Sequence, residues 1–165
     1  GMGVRESPVG RGGEVGVERL RVAPDEMLLL APPSRLDEVL RWATTALSNT
    51  DPGALVLNQS DGWAIFSLLG DDGLAALRQL AVFPFPETRP AFIQGAVAGG
   101  SAKLLLRPGV AYLLVPYPLR DHVERRLRDV CAAACTRFGS GEVPFTSAAE
   151  PALPPPAPNA GASVS

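Results

Sequence analysis

The chain has 165 residues, yet only one histidine, two cysteines and, among its fifteen basic residues, a single lysine, Lys103. Each scarcity closes off a chemistry. One histidine, His122, leaves no histidine-assisted serine or cysteine nucleophile of the usual kind. His122, Cys131 and Cys135 make three ligands at most, where zinc usually takes four, and His122 lies more than two helical turns before Cys131. No metal and no cofactor are therefore expected. The two cysteines read as reduced thiols of a cytoplasmic protein. No apolar run approaches the ~20 residues a membrane helix needs, and the first residues hold no apolar core of a secretory signal. The net charge is −2, with arginines scattered among acids, so the chain shows no basic footprint for nucleic acid.

What the sequence does contain is enough apolar residue, 46% with 19% charged, for one domain with a proper core. The stretch Ser60 to Leu80, SDGWAIFSLLGDDGLAALRQL, organises it. Trp63 to Leu69 is nearly all apolar and too short for a helix, which predicts a strand covered on both faces. Gly70 ends it. Asp71 or Asp72 is then expected to cap a short helix whose Leu74, Leu77 and Leu80 recur at helical spacing. Paired carboxylates at this point could also do acid–base work, but their place between strand and helix favours capping.

Taken in order, residues 1–16 are glycine-rich and predict a mobile arm. Val17 to Val22 and Met27 to Ala31 predict a hairpin around Pro24-Asp25-Glu26. Ser34 and Asp37 have the spacing of a capping box. Leu36, Val39, Leu40, Ala43 and Leu47 then share one helical face. Asp51-Pro52-Gly53 stops that helix, and Ala54 to Leu57 is expected as a short strand. Ala81 to Pro90 holds three prolines, Pro84, Pro86 and Pro90, which exclude a helix or a central strand. Ala91 to Ala98, Ser101 to Arg107 and Val110 to Val115 predict three strands, turning at Gly99-Gly100 and Pro108-Gly109. Pro118 opens the last helix, with Leu119, Val123, Leu127, Val130, Cys131 and Ala134 on its apolar stripe. Residues 139–165 read as a Pro/Ala-rich disordered tail.

Two copies of one pattern stand out. Leu20, Pro24, Leu29, Leu30, Pro32, Asp37, Val39 and Arg41 match Leu104, Pro108, Leu113, Leu114, Pro116, Asp121, Val123 and Arg125. Either the chain contains an internal duplication, or any two strand-strand-helix units look this alike. The element order ββα, ββα, βββα predicts a single α+β domain over 17–138, with antiparallel sheet and helices packed on one face.

Asp61 to Leu80, with Gly70, Asp71, Asp72, Gly73, Leu77 and Leu80, resembles the folate-binding superfamily of glycine-cleavage T-proteins and sarcosine oxidases. Over Val17 to Phe138 the chain resembles more closely the gamma subunit of heterotetrameric sarcosine oxidase. The carriers are RVAPDEMLLLAPP, Ser60-Asp61-Gly62 and QGAVAGGSAKLLLRPGVAYLLVP. The resemblance implies a non-catalytic subunit working through contacts with larger oxidase subunits. Pro84 stands where the T-proteins carry the acidic residue that binds pterin, which argues against folate binding. The Cys-Pro-Leu-Asp type segment usual in gamma subunits is also missing. A tetrahydrofolate-binding or aminomethyltransferase-like protein is the alternative, and a self-associating scaffold a third.

Phe83 and Phe85 are the candidate partner contacts. They sit between prolines on a surface connection, where stiff aromatics bind at low entropic cost. The plain alternative is a small cluster tucked under the loop. Phe83, next to the central helix, is expected to be buried and Phe85 more exposed.

Overall fold

The computed structural model describes residues 5–7, 17–133 and 138–139. It has the α+β class expected, with antiparallel pairing throughout the described strand pairs. In chain order the strands are β1 (Arg5–Ser7), β2 (Glu18–Ala23), β3 (Glu26–Leu30), β4 (Trp63–Leu69), β5 (Ala91–Val97), β6 (Gly100–Arg107) and β7 (Val110–Pro116). The helices are α1 (Leu36–Thr50), α2 (Gly70–Leu80) and α3 (Arg120–Ala133). β2 and β3 form a two-stranded sheet, and the others form one sheet in the order β1-β5-β6-β7-β4.

The chain divides into two compact units. The first holds β1, Arg19–Leu28 and everything described from Ser60 onward. Its core is read directly from register. Ile93, Leu104 and Leu113 stand side by side across β5, β6 and β7. They share a face with Val97, Leu106 and Val115, and with Leu77 and Leu80 of α2 and Val123 and Leu127 of α3. Burying each such side chain contributes about 1.5–3 kcal/mol, so this face anchors the unit. The opposite row, Phe92, Leu105 and Tyr112, is also buried. Both faces of the central strands are therefore out of water, which explains their unbroken apolar runs. The second unit, Leu29–Gln59, contains α1, which buries Val39 and Ala43 while Leu47 is exposed.

The passage from β4 to α2 depends on two glycines. Gly70 has φ +67°, a left-handed conformation glycine adopts without steric cost. A Cβ on Gly73 would come within 2.9 Å of the Leu68 carbonyl carbon, so only glycine lets the helix fold back this closely. Neither Asp71 nor Asp72 caps α2. The capping position belongs to Leu69 and makes no side-chain bond. The two acids fall inside the first turn, where they complement the positive end of the helix. The capping box at Ser34 is likewise not formed. A 3-10 turn at Pro33–Arg35 precedes α1 and places Arg35 at its start. Arg35 Nη2 instead pairs with Glu38 Oε1 at 2.9 Å.

Three further expectations are corrected. Ala54–Leu57 is not a strand, and Leu55 and Leu57 are 77% and 60% exposed. Four residues offer few ladder bonds, and they pair with no described strand, so propensity alone does not make a strand. The middle unit is thus β4-α2. The β5–β6 turn falls on Ala98-Gly99, one residue before the glycine pair, because Val97 pairs with Gly100. Within the arm expected over 1–16, Arg5–Ser7 pairs with β5. The rest of that arm, Cys135 and the tail beyond Gly139 lie outside the described residues.

The repeat has structural counterparts at a constant spacing. Pro33–Arg35 and Tyr117–Leu119 are both 3-10 turns with proline in the first two positions, and α1 and α3 begin at Leu36 and Arg120. β3 and β7 begin at Glu26 and Val110. Each pair is 84 residues apart (33 and 117, 36 and 120, 26 and 110), the same offset as the sequence match.

Candidate functional site

The connection from α2 to β5 begins as an extension of the sheet. Ala81 bridges Val97, the Val82 amide donates to the Ala96 carbonyl at 3.4 Å, and the Ala98 amide donates to the Leu80 carbonyl at 2.8 Å. These bonds fix the direction in which Phe83 leaves the helix. Its ring lies over Gly95 of β5, where an added Cβ would come within 2.5 Å of Phe83 Cε1. Glycine in a strand interior marks such a close approach. Phe85 packs beside it, with ring centroids 5.7 Å apart and planes tilted by 43°. The Arg78 guanidinium, from the last turn of α2, stands 5.7 Å from the Phe85 centroid, within range of a cation–π contact.

The structure thus brings Phe83 and Phe85 together, and both are half-buried against the helix-side core. The expected contrast between a buried Phe83 and an exposed Phe85 is not seen, because Gly95 and Arg78 give each ring its own seat. Val82 is the large apolar side chain of the loop that faces water, 76% exposed, and Pro84, Glu87 and Thr88 are exposed with it. Arg89 Nη1 donates to the Pro86 and Thr88 carbonyls, tying the loop to itself, and the Arg89–Pro90 peptide is cis.

A second constellation was not legible in the sequence. It lies on the other face of the sheet around Lys103. The Lys103 ammonium stands 4.8 Å from the centroid of Trp63 and donates to Gln94 Oε1 at 3.2 Å. Gln94 Nε2 in turn donates to the Val22 carbonyl at 2.8 Å. Burial pushes the Lys103 amine below its ordinary range, and Glu26 opposes that shift. The chain of contacts joins β2 to β5, β6 and β4. Its only sequence signal was the scarcity of lysine: the one lysine ammonium is placed on an aromatic ring, and Trp63, in the strand expected to be covered on both faces, is half-buried.

Of the residues weighed as a metal site, Cys135 lies outside the described residues, and His122 and Cys131 have separate surroundings. His122 Nε2 is 2.9 Å from the Ala98 carbonyl, and since a carbonyl only accepts, that nitrogen donates. Cys131 is a buried free thiol whose pKa burial pushes up. Among the described residues no three of His, Cys, Asp and Glu gather as a metal would need, and no helix is long and apolar enough to cross a membrane.

No family model matches the sequence, and no curated protein does. Among solved structures the chain is similar to a chain of heterotetrameric sarcosine oxidase from Corynebacterium sp. U-96, determined in complex with pyrrole 2-carboxylate. The TM-score is 0.62 at 19% identity, and the match covers 78% of this chain. It covers 66% of the other, just under two thirds of that chain's length. The two chains share a fold.

Proposed function

We propose that this protein is a non-catalytic, gamma-type subunit, or a free-standing relative of one, of a heteromeric sarcosine or N-methyl amine oxidase. It works through protein contacts. One observation carries the reading: its α+β fold is similar to that of a chain from a heterotetrameric oxidase. The sequence resemblance over Val17 to Phe138 points the same way. The loop of Phe83 and Phe85 is the proposed partner contact. The rings stiffen it from below and Val82 presents an apolar side chain to the partner. Larger, flavin-binding oxidase subunits are the proposed partners.

The test starts from the purified chain. It is expected to show no bound flavin absorbance and no oxidation of sarcosine, and turnover by the isolated chain overturns the reading. Calorimetry with tetrahydrofolate separates the aminomethyltransferase-like alternative. Micromolar binding would favour that alternative despite Pro84, and absence of heat supports the subunit.

A further inference from the structure

The strand edges of this protein are not equally protected. β1, at one end of the large sheet, has three residues, Arg5-Glu6-Ser7, two of them charged. The β2–β3 pair carries Glu18, Arg19 and Arg21 on one strand and Glu26 on the other. Shortness and charge are the devices by which edges avoid pairing with other chains. β4, at the opposite end of the large sheet, has neither. Its seven residues, Trp-Ala-Ile-Phe-Ser-Leu-Leu, include no charge and no proline. Its register with β7 runs unbroken from Trp63–Pro116 to Leu69–Val110, so no bulge twists it away. Among the described residues it has no strand on its other side. Ile65, Phe66 and Ser67 are half-buried, and Leu69 is 60% exposed.

The sequence of β4 also says what suits that edge. Read antiparallel to itself about Ser67, it sets Ile65 opposite Leu69 and Phe66 opposite Leu68, with the two Ser67 side chains meeting on the axis. Each exposed Leu69 is covered by an Ile65, no charge is desolvated, and two serine hydroxyls side by side are a favourable cross-strand pair. We propose that β4 pairs antiparallel with β4 of a second copy of this chain about Ser67, joining two five-stranded sheets across a twofold axis. Pairing along one short edge covers less than the roughly 800 Å² per partner of a standard interface, so the dimer forms and dissociates with concentration. This pairing does not depend on the oxidase reading.

The experiment is sedimentation velocity on the purified full chain over a wide concentration range, with three variants. The unsubstituted chain is expected to pass from monomer to dimer. Ser67→Lys sets two like charges against each other on the axis and should leave a monomer throughout. Leu69→Glu, at an exposed position where folding is not at stake, should weaken the dimer at least tenfold. Ser67→Cys should form a disulfide-linked dimer under mild oxidation, since facing Cα atoms in an antiparallel pair lie at about 4.5–5.5 Å, within disulfide reach. The unsubstituted chain, with Cys131 and Cys135, is the control for that cross-link. A chain that stays monomeric, a dimer indifferent to Leu69→Glu, or a Ser67→Cys chain that cross-links no more than the control overturns the proposal.

Discussion

Phe83 lies so close to Gly95 that a Cβ there would come within 2.5 Å of its ring. The contact ties the α2–β5 loop to the sheet, and it makes the two positions interdependent. Gly95→Ala alone forces the ring aside and is expected to cost ~1–3 kcal/mol, the usual penalty of overpacking. In a Phe83→Ala background the obstruction is gone. The same change should then be neutral or favour the strand by roughly 0.5 kcal/mol, because alanine loses less backbone freedom than glycine. Denaturant melts of the two single variants and the double variant give the coupling. Additive losses would mean that Phe83 does not rest on Gly95.

Phe85 is held by Phe83 and Arg78. Changing it to alanine removes an aromatic pair and a cation–π contact, each worth about 0.5–1.5 kcal/mol. A destabilisation of about 1–2 kcal/mol is expected in a chemical denaturation. A loss within about 0.5 kcal/mol, as at an ordinary surface site, would show that the ring is not seated on the protein.

The β5–β6 turn places Ala98 at φ +52°, followed by Gly99 at +81°. A left-handed conformation costs an ordinary L-residue roughly 1–2 kcal/mol, and asparagine much less. Ala98→Asn turns the pair into Asn-Gly, the preferred dipeptide for a tight hairpin. It should raise stability by about 1 kcal/mol, read from a thermal melt. The His122 bond should persist, since it is made to a backbone carbonyl.

Lys103 yields a prediction in pH. Its folded-state pKa lies below the ordinary 10.5, with burial as the largest cause. The unfolded chain therefore holds this proton to higher pH than the folded one. Below the folded pKa both states are charged and the cost of burying the ammonium is fully present. Between the folded pKa and 10.5 the cost is relieved, so stability rises with pH. Compared with Lys103→Met, the unsubstituted protein should gain stability across that alkaline window. Parallel denaturation curves for the two proteins, taken from neutral pH upward, check it. A gap that narrows in the opposite sense would contradict the placement of Lys103.

Strands β4 to β7 of the large sheet and the stripes of α1 and α3 were legible because burial imprints period and composition on the sequence, whereas β1, inside the expected arm, was not. β5, β6 and β7 sit within a residue of their expected ends, since both faces are covered and their apolar runs stop at turn residues. Ala54–Leu57 shows the limit. Its residues are strand formers, but a strand exists only beside another, and sequence does not say whether a neighbour is present. The caps at Ser34 and Asp71 failed for a related reason: proline at Pro33 and glycine at Gly70 set the backbone first, and the side chains followed. Phe83 and Phe85 were legible as an unusual pair, but not their seats, because Gly95 and Arg78 come from other elements. The contact of Lys103, Trp63 and Gln94 joins three strands and left no local pattern.

The proposed function has the chain serve an oxidase through protein contacts rather than through chemistry of its own. The most direct measurement co-expresses it with the large subunits of a heterotetrameric sarcosine oxidase and assays gel-filtration fractions for sarcosine-dependent peroxide. The account predicts that the chain co-elutes with those subunits in fixed stoichiometry, and that flavin absorbance and turnover follow them. Turnover in the fractions that hold this chain alone would contradict it.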